Sequence, residues 1–150
     1  MTKFNPSYTI RKATLSDIMH FHEAVCSIND TQLNEYDFDS VFKLKVKQKQ
    51  NYLLVLMDQD DKFAGCSVFG QKIDINDLHS NYEIELFYIK PKYRKHLGAE
   101  VLYKEIENIV AIKKGHKITI SCLLNATINQ RFYAKRGFKL VKKCYVKTNI

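Results

Sequence analysis

The stretch from Glu83 to Lys114 constrains the fold more than any other, because it reads as a strand, a tight turn and a long helix in immediate succession. In the strand, Glu83 to Ile89, a period of two sets Ile84, Leu86 and Tyr88 on one face and Glu83, Glu85, Phe87 and Ile89 on the other, so two carboxylates point the same way. The turn, Lys90 to Ala99, carries Lys90, Lys92, Arg94, Lys95 and His96 and a single glycine, Gly98. From Glu100 to Ala111, Leu102, Ile106, Ile109 and Val110 recur at helical spacing. Unpaired backbone N–H groups and the positive end of the helix dipole converge where such a turn meets such a helix, which makes the junction a natural anion site.

A second patterned stretch runs from Asn125 to Phe138 and contains Tyr133, Gly137 and Phe138 in the order Tyr-x-x-x-Gly-Phe. Together the two stretches resemble the GNAT superfamily of N-acetyltransferases. That family places an Arg/Gln-x-x-Gly-x-Gly/Ala turn before a helix and an Asn…Phe-Tyr-x-x-x-Gly-Phe signature further on. Arg94 falls on the first position of the turn and Ala99 on the last; Leu97 stands at the middle glycine, with Gly98 one place late. Asn125 sits one residue further from Tyr133 than is usual. The resemblance covers about residues 50 to 140, and the N-terminal third agrees in element order.

The resemblance implies an α/β fold, a central mixed sheet flanked by helices, that moves an acetyl group from acetyl-CoA to a primary amine in a direct ternary complex. It implies that Arg94, Lys95, His96, Leu97, Gly98 and Ala99 hold the pyrophosphate. Phe87, Tyr88 and Ile89 would run along the acetyl and pantetheine groups, with main-chain bonds from Phe87 and Ile89, and Asn125 or Asn129 would bond the pantetheine arm. An amine of pKa ~10.4 is almost wholly protonated at pH 7, and freeing it costs roughly 4 to 5 kcal/mol. A carboxylate in the cleft can take that proton. Glu85 stands where many members of the family keep their base, with Glu83 second; a structural salt bridge is the competing account for each. Tyr133 occupies the position of the acid that protonates the leaving thiolate, or is a buried aromatic. Leu97 in place of glycine obstructs close backbone approach to a phosphate, so a binding module of the same fold without the chemistry stays open.

Charge is divided along the chain. Residues 1 to 87 hold 9 Lys/Arg against 13 Asp/Glu, a balance of −4, and residues 88 to 150 hold 15 against 3, a balance of +12, for a net +8. The sign changes where the turn begins, which fits a polyanionic ligand such as CoA held by the C-terminal half, with a solvated basic face as the competing account. Nucleic acid is a second partner such a half could take, although no aromatic and basic platform of the single-strand-binding kind occurs. Asp30, Glu35, Asp37 and Asp39 form an acidic segment that the resemblance places beside the acceptor pocket, which favours a small polyamine, aminoglycoside-like or basic peptide acceptor.

At 150 residues a single domain, 1–150, is expected, large enough for one core. No run of about 18 apolar residues occurs and Met1 to Arg11 has no apolar secretory core, so a cytoplasmic protein without membrane association is expected, and a homodimer is compatible with it. Cys26, Cys66, Cys122 and Cys144 are scattered, which reads as reduced, buried thiols; His20 and His22 do not face one another on a helix, and no metal site is expected.

In order, Tyr8 to Ala13 alternates as a strand, and Thr14 to Asp17 offers a capping box with Asp17 in place of Glu. Leu15, Ile18, Met19 and Val25, with His22, form the stripe of a first helix. Val41 to Lys49 alternates apolar residues with lysine, a strand by pattern and a helix by resemblance. Asn51 to Met57 and Phe63 to Gly70 read as a hairpin around the turn Asp58 to Lys62, and Gln71 to Asn81 as a loop or irregular strand edge. Lys113 to His116 is a helix stop, with Gly115 just past the end. Lys117 to Leu123 reads as a strand parallel to the organising one, followed by a short helix through Tyr133 that Gly137 closes, and Phe138 to Thr148 as a final strand.

Overall fold

The structure is a computed structural model that describes residues 6–30, 33–121, 127–142 and 144–149, without the side chains of 127–129. Two compact units emerge, Met1–Ile120 and Ser121–Ile150.

The first unit is built on a five-stranded sheet in chain order: β1 (Tyr8–Lys12), β2 (Asn51–Asp58), β3 (Phe63–Asp74), β4 (Asp77–Ile89) and β5 (Lys117–Ile120). The first four strands pair antiparallel, and β5 runs parallel to β4 after the crossover helix α3 (Gly98–Ile112). The sheet is therefore mixed, with helices packed on it, as the fold class anticipated.

One face of the sheet is covered by α1 (Ile18–Asn29) and α2 (Glu35–Lys47). Phe21 and Ala24 of α1 and Phe42 of α2 share a core with Leu53, Val55 and Met57 of β2, Cys66 and Val68 of β3, and Leu86 and Tyr88 of β4. The alternate residues Leu54, Leu56, Phe69, Tyr82 and Ile84 are buried on the opposite side, with Leu102, Tyr103, Ile106 and Val110 of α3. Of the stripe expected on α1, Ile18 and Val25 pack against the core, whereas Leu15 and Met19 are exposed and Phe21 and Ala24 take the buried places.

Residues 41–47 belong to α2, which settles the strand-or-helix question for helix. Phe38, Phe42 and Val46 fall at i, i+4 and i+8 and meet the core, while Leu44, the middle apolar residue of the alternation, and Val41 are exposed. The ends agree: the Asn34 side chain accepts from the Tyr36 N–H at 2.8 Å, Glu35 and Asp37 lie in the first turn, and Lys45 and Lys47 in the last. The capping box ahead of α1 forms through Asp17, whose carboxylate accepts from the Thr14 N–H at 2.8 Å and from Arg11 at 2.8 and 2.9 Å.

Of the two alternatives for Gln71 to Asn81, the irregular strand holds: β3 and β4 continue as a hairpin arm, with a register shift between Lys72 and Asp74, as far as the pair Asp74 and Asp77. Two expectations are corrected. At the end of α3 the left-handed residue is Lys114, at φ 58°, and Gly115 serves close packing instead, since a Cβ there would lie 2.4 Å from Val110 Cγ1 and 2.9 Å from the Tyr82 ring. Among the described residues of 138–149 there is no final strand, and Leu140, Val141, Tyr145 and Val146 are exposed. Of the cysteines, Cys66 is buried, with its thiol pushed up by desolvation; Cys26 is half-buried, Cys144 is exposed and Cys122 lies outside the described residues.

The second unit holds α4 (Thr127–Lys135). Gly137 at φ 87° ends it with N–H groups of Gly137 and Phe138 returning to the Ala134 and Tyr133 carbonyls at 3.1 Å each. Tyr133 is buried, edge-on to both Phe132 and Phe138.

Candidate active site

The site on the first unit is centred on the last seven residues of β4 and the turn behind them, with side chains from α2, β2 and β3 around the two acids. Val68 of β3 pairs with Leu86 and the next residue, Phe69, with Ile84, so Glu85 is an extra residue in the ladder, a β-bulge. The bulge breaks the simple alternation. Below it Glu83 shares the α1 and α2 side with Leu86 and Tyr88, while Ile84 and Tyr82 turn to the α3 side with Phe87 and Ile89. The sequence pattern had put Ile84 with Leu86 and Glu83 with Phe87; the bulge reverses both pairings and still leaves the two carboxylates together.

Glu83 and Glu85 line one groove of about 260 Å³, with Lys45, Gln48, Asn51 and Lys72 around them. Each carboxylate has a lysine: Lys45 Nζ lies 2.5 Å from Glu85 Oε1, and Lys72 Nζ lies 2.8 Å from Glu83 Oε2. The bond to Glu83 holds the Lys72 ammonium above its usual range. Neither lysine was singled out by the sequence; Lys45 becomes legible only once α2 is a helix, because it then follows Phe42 by three positions onto the rim of the core face.

Among the described residues the ladder of β4 with β5 lies below the bulge. The parallel ladder runs from Asn81 with Lys117 to Ile84 with Ile120, and β4 continues five residues beyond it to Ile89. The Lys90 N–H donates to Ala64 of β3 at 2.8 Å, so by alternation the peptide groups of Tyr88 also turn towards β3, and those of Phe87 and Ile89 turn away from it. The Ile89 carbonyl accordingly accepts from Arg94 Nε at 2.9 Å. The Tyr88 side chain lies in the α1 and α2 core, near Phe63.

The turn is a single 3-10 turn (Pro91–Tyr93) running into α3. A buried polar cluster fastens it to the sheet. The Tyr93 hydroxyl donates to Asp58 Oδ2 at 2.7 Å, and Asp58 Oδ1 accepts from the N–H groups of Asp60 and Lys62 at 2.8 and 3.0 Å. Burial pushes the Asp58 carboxyl up, but these donors outweigh it and hold it below the usual range; burial and the adjacent carboxylate raise the Tyr93 hydroxyl to about 12. The Tyr8 hydroxyl donates to the His96 carbonyl at 2.9 Å. Gly98 closes the assembly, with the space for a Cβ taken by the Tyr93 carbonyl at 3.2 Å and Ile89 Cγ2 at 3.3 Å. None of this support was visible in the sequence, since Tyr8, Asp58 and Tyr93 are far apart in the chain.

Leu97, the residue at the expected glycine, has φ 64° and ψ 11°. It adopts the left-handed conformation that glycine takes without cost, and its side chain is 65% exposed. Behind it the first-turn N–H groups of Gly98 and Ala99 have no intrahelical acceptor. Lys95 is exposed and His96 half-buried beside them. Such a turn suits a diphosphate in two respects: the backbone follows the glycine path and Leu97 is exposed. Asn125 and the side chain of Asn129 lie outside the described residues.

A family model described as an acetyltransferase (GNAT) domain matches residues 27–150. The chain belongs to the GNAT acetyltransferase family. No curated protein matches it in sequence. Among solved structures it is similar to the aminoglycoside antibiotic 6'-N-acetyltransferase AAC(6')-Ih of Acinetobacter baumannii, at 14% identity over 96% of this chain and 99% of that one, with a TM-score of 0.81. It is also similar to the glucosamine-6-phosphate N-acetyltransferase of Arabidopsis thaliana, at 16% identity over 96% and 99%, TM-score 0.75. A GNAT family acetyltransferase of Staphylococcus aureus gives 19% identity over 95% and 98%, TM-score 0.72. Among the described residues no helix is long and apolar enough to cross a membrane.

Proposed function

We propose that the protein is an N-acetyltransferase that moves an acetyl group from acetyl-CoA to a primary amine in a direct ternary complex. The observation that carries this reading is the bulge that sets Glu85 into a groove, beside a second carboxylate and just past the pair Ile84 with Ile120. Acetyl-CoA supplies the activated acetyl group. The turn from Arg94 to Ala99 would hold its pyrophosphate through main-chain N–H groups, and Phe87 and Ile89 would offer main-chain bonds on the side of β4 turned away from β3.

Glu85 then accepts the proton of the acceptor's ammonium, directly or through one water, with Glu83 as the second carboxylate of the same groove. Lys45 holds Glu85 until the acceptor takes its place, so binding exchanges one ammonium for another rather than desolvating a bare carboxylate. Tyr133 donates a proton to the leaving thiolate. The left-handed Leu97 supports this reading over a fold that has lost its ligand, because the backbone there follows the path that glycine would take.

Thiol release across a panel of amines tests the proposal. Glu85→Gln is expected to lower kcat by roughly 100-fold or more, within the range for a positioned general base, and Tyr133→Phe to lower it with acetyl-CoA affinity retained. Full turnover in both variants refutes the roles, and calorimetry that shows no acetyl-CoA binding refutes the function.

A further inference from the structure

The groove around Glu83 and Glu85 holds as many cations as anions: Lys45 faces Glu85 and Lys72 faces Glu83. Asn51 Nδ2 is taken up by Gln48 Oε1 at 2.8 Å, so the remaining wall is neutral. A purely cationic acceptor entering here competes with Lys45 for Glu85 and lies beside two ammonium groups. Like charges at that distance repel. An amine that brings its own anion meets no such conflict, because it exchanges charge for charge with both lysines. The exchange is easy: the paired side chains are 31% and 47% exposed at Lys45 and Glu85, and 59% and 32% at Lys72 and Glu83, and ion pairs so open to water are weak.

We propose that the acceptor is a zwitterion, an amine carrying a carboxylate or phosphate, bound with its ammonium at Glu85 and its anion between Lys45 and Lys72. The assignment rests on the acetyl-transfer reading only in taking Glu85 as the end where the amine reacts. It replaces the polyamine and basic-peptide acceptors that the acidic segment of the sequence favoured, because two of the acids nearest the groove already carry lysines. Glu83 and Glu85 lie two residues apart on β4, roughly 6 to 7 Å along a strand, so a short chain of four or five carbons bridges the two pairs.

Three matched probes separate the outcomes by calorimetry without acetyl-CoA: 5-aminopentanoate, 1,5-diaminopentane and pentanoate. The zwitterion is expected to bind about tenfold more tightly than either of the others, the scale of two partly exposed ion pairs. Lys45→Gln and, separately, Lys72→Gln are expected to weaken 5-aminopentanoate and to strengthen 1,5-diaminopentane, opposite directions that a loss of structure cannot produce. A diamine that binds as tightly as the zwitterion, no saturable binding of 5-aminopentanoate, or variants that weaken all three probes alike each overturn the inference. Titration with acetyl-CoA keeps the two readings apart. Acetyl transfer that is faster at limiting concentration for 1,5-diaminopentane than for 5-aminopentanoate removes the zwitterion and leaves the transferase, and the converse preference without acetyl-CoA binding does the reverse.

Discussion

Replacing Leu97 tests whether the turn holds the chain in a strained path. At φ 64° a residue with a Cβ carries about 1 to 2 kcal/mol that glycine does not. Glycine gives back roughly 0.5 to 1 kcal/mol through its freedom in the unfolded chain. Leu97→Gly and Leu97→Ala both delete the same leucine contacts, and with 65% of the residue exposed those contacts are few. The difference between the two variants therefore isolates the backbone. The Leu97→Gly chain is expected to be more stable than the Leu97→Ala chain by about 0.5 to 1 kcal/mol, or roughly 1 to 4 °C in Tm for a protein of this size. In an ordinary helical position the order is the opposite, with alanine favoured by ~1 kcal/mol. Parallel urea and thermal unfolding, with equal m-values for the pair, reads the sign directly. Equal stability, or a more stable Leu97→Ala chain, refutes a left-handed residue at 97 and with it the glycine-like path on which the diphosphate fit depends.

Asp58→Ala leaves the Tyr93 hydroxyl and the Asp60 and Lys62 N–H groups without their acceptor; a loss of about 3 kcal/mol is expected in urea unfolding, with a raised KM for acetyl-CoA if the cluster positions the turn. Gly115→Ala forces a Cβ to within 2.4 Å of Val110 Cγ1 and is expected to cost about 2 kcal/mol, read as a fall in Tm. Asp17, hydrogen-bonded by Arg11, and Asp58, hydrogen-bonded by Tyr93 and two N–H groups, both lie below the usual carboxylate range. Their contribution is complete above the unfolded value of ~3.9 and is lost as pH falls through the lower folded values, so stability should decline below about pH 4. Asp17→Asn should flatten that decline; an unchanged acid profile would show that Arg11 adds nothing to the carboxylate.

The strand, turn and helix of residues 83 to 114 were legible because each carries a local signal: alternation, a cluster of turn cations and a 3.6-residue stripe. The same signals misled where tertiary context decides. Phe42, Leu44 and Val46 alternate with lysines, yet Leu44 is exposed and the core face is Phe38, Phe42 and Val46. Lys114 rather than Gly115 takes the left-handed place, because Gly115 has Tyr82 against it, a neighbour 33 positions away in the chain. The carboxylates of the groove were visible, but their lysines were not, since Lys45 and Lys72 reach them from a helix and a neighbouring strand. Likewise the cluster of Tyr8, Asp58 and Tyr93 joins the ends of three elements, and no periodicity announces it.

The inserted residue at 85 has a wider effect than placing one carboxylate. It shifts the phase of β4, so that the strand behaves as two half-strands of opposite parity joined at a single step. Removing the step by deleting one residue would restore a regular ladder and swap inside for outside along the lower half: Tyr82 and Ile84 would leave α3, and Glu83 would be driven towards it. Two aromatic and aliphatic side chains that are at most 4% exposed thus lock in place a groove they never touch, and the outward set of the acids is enforced by grease on the far side of the sheet.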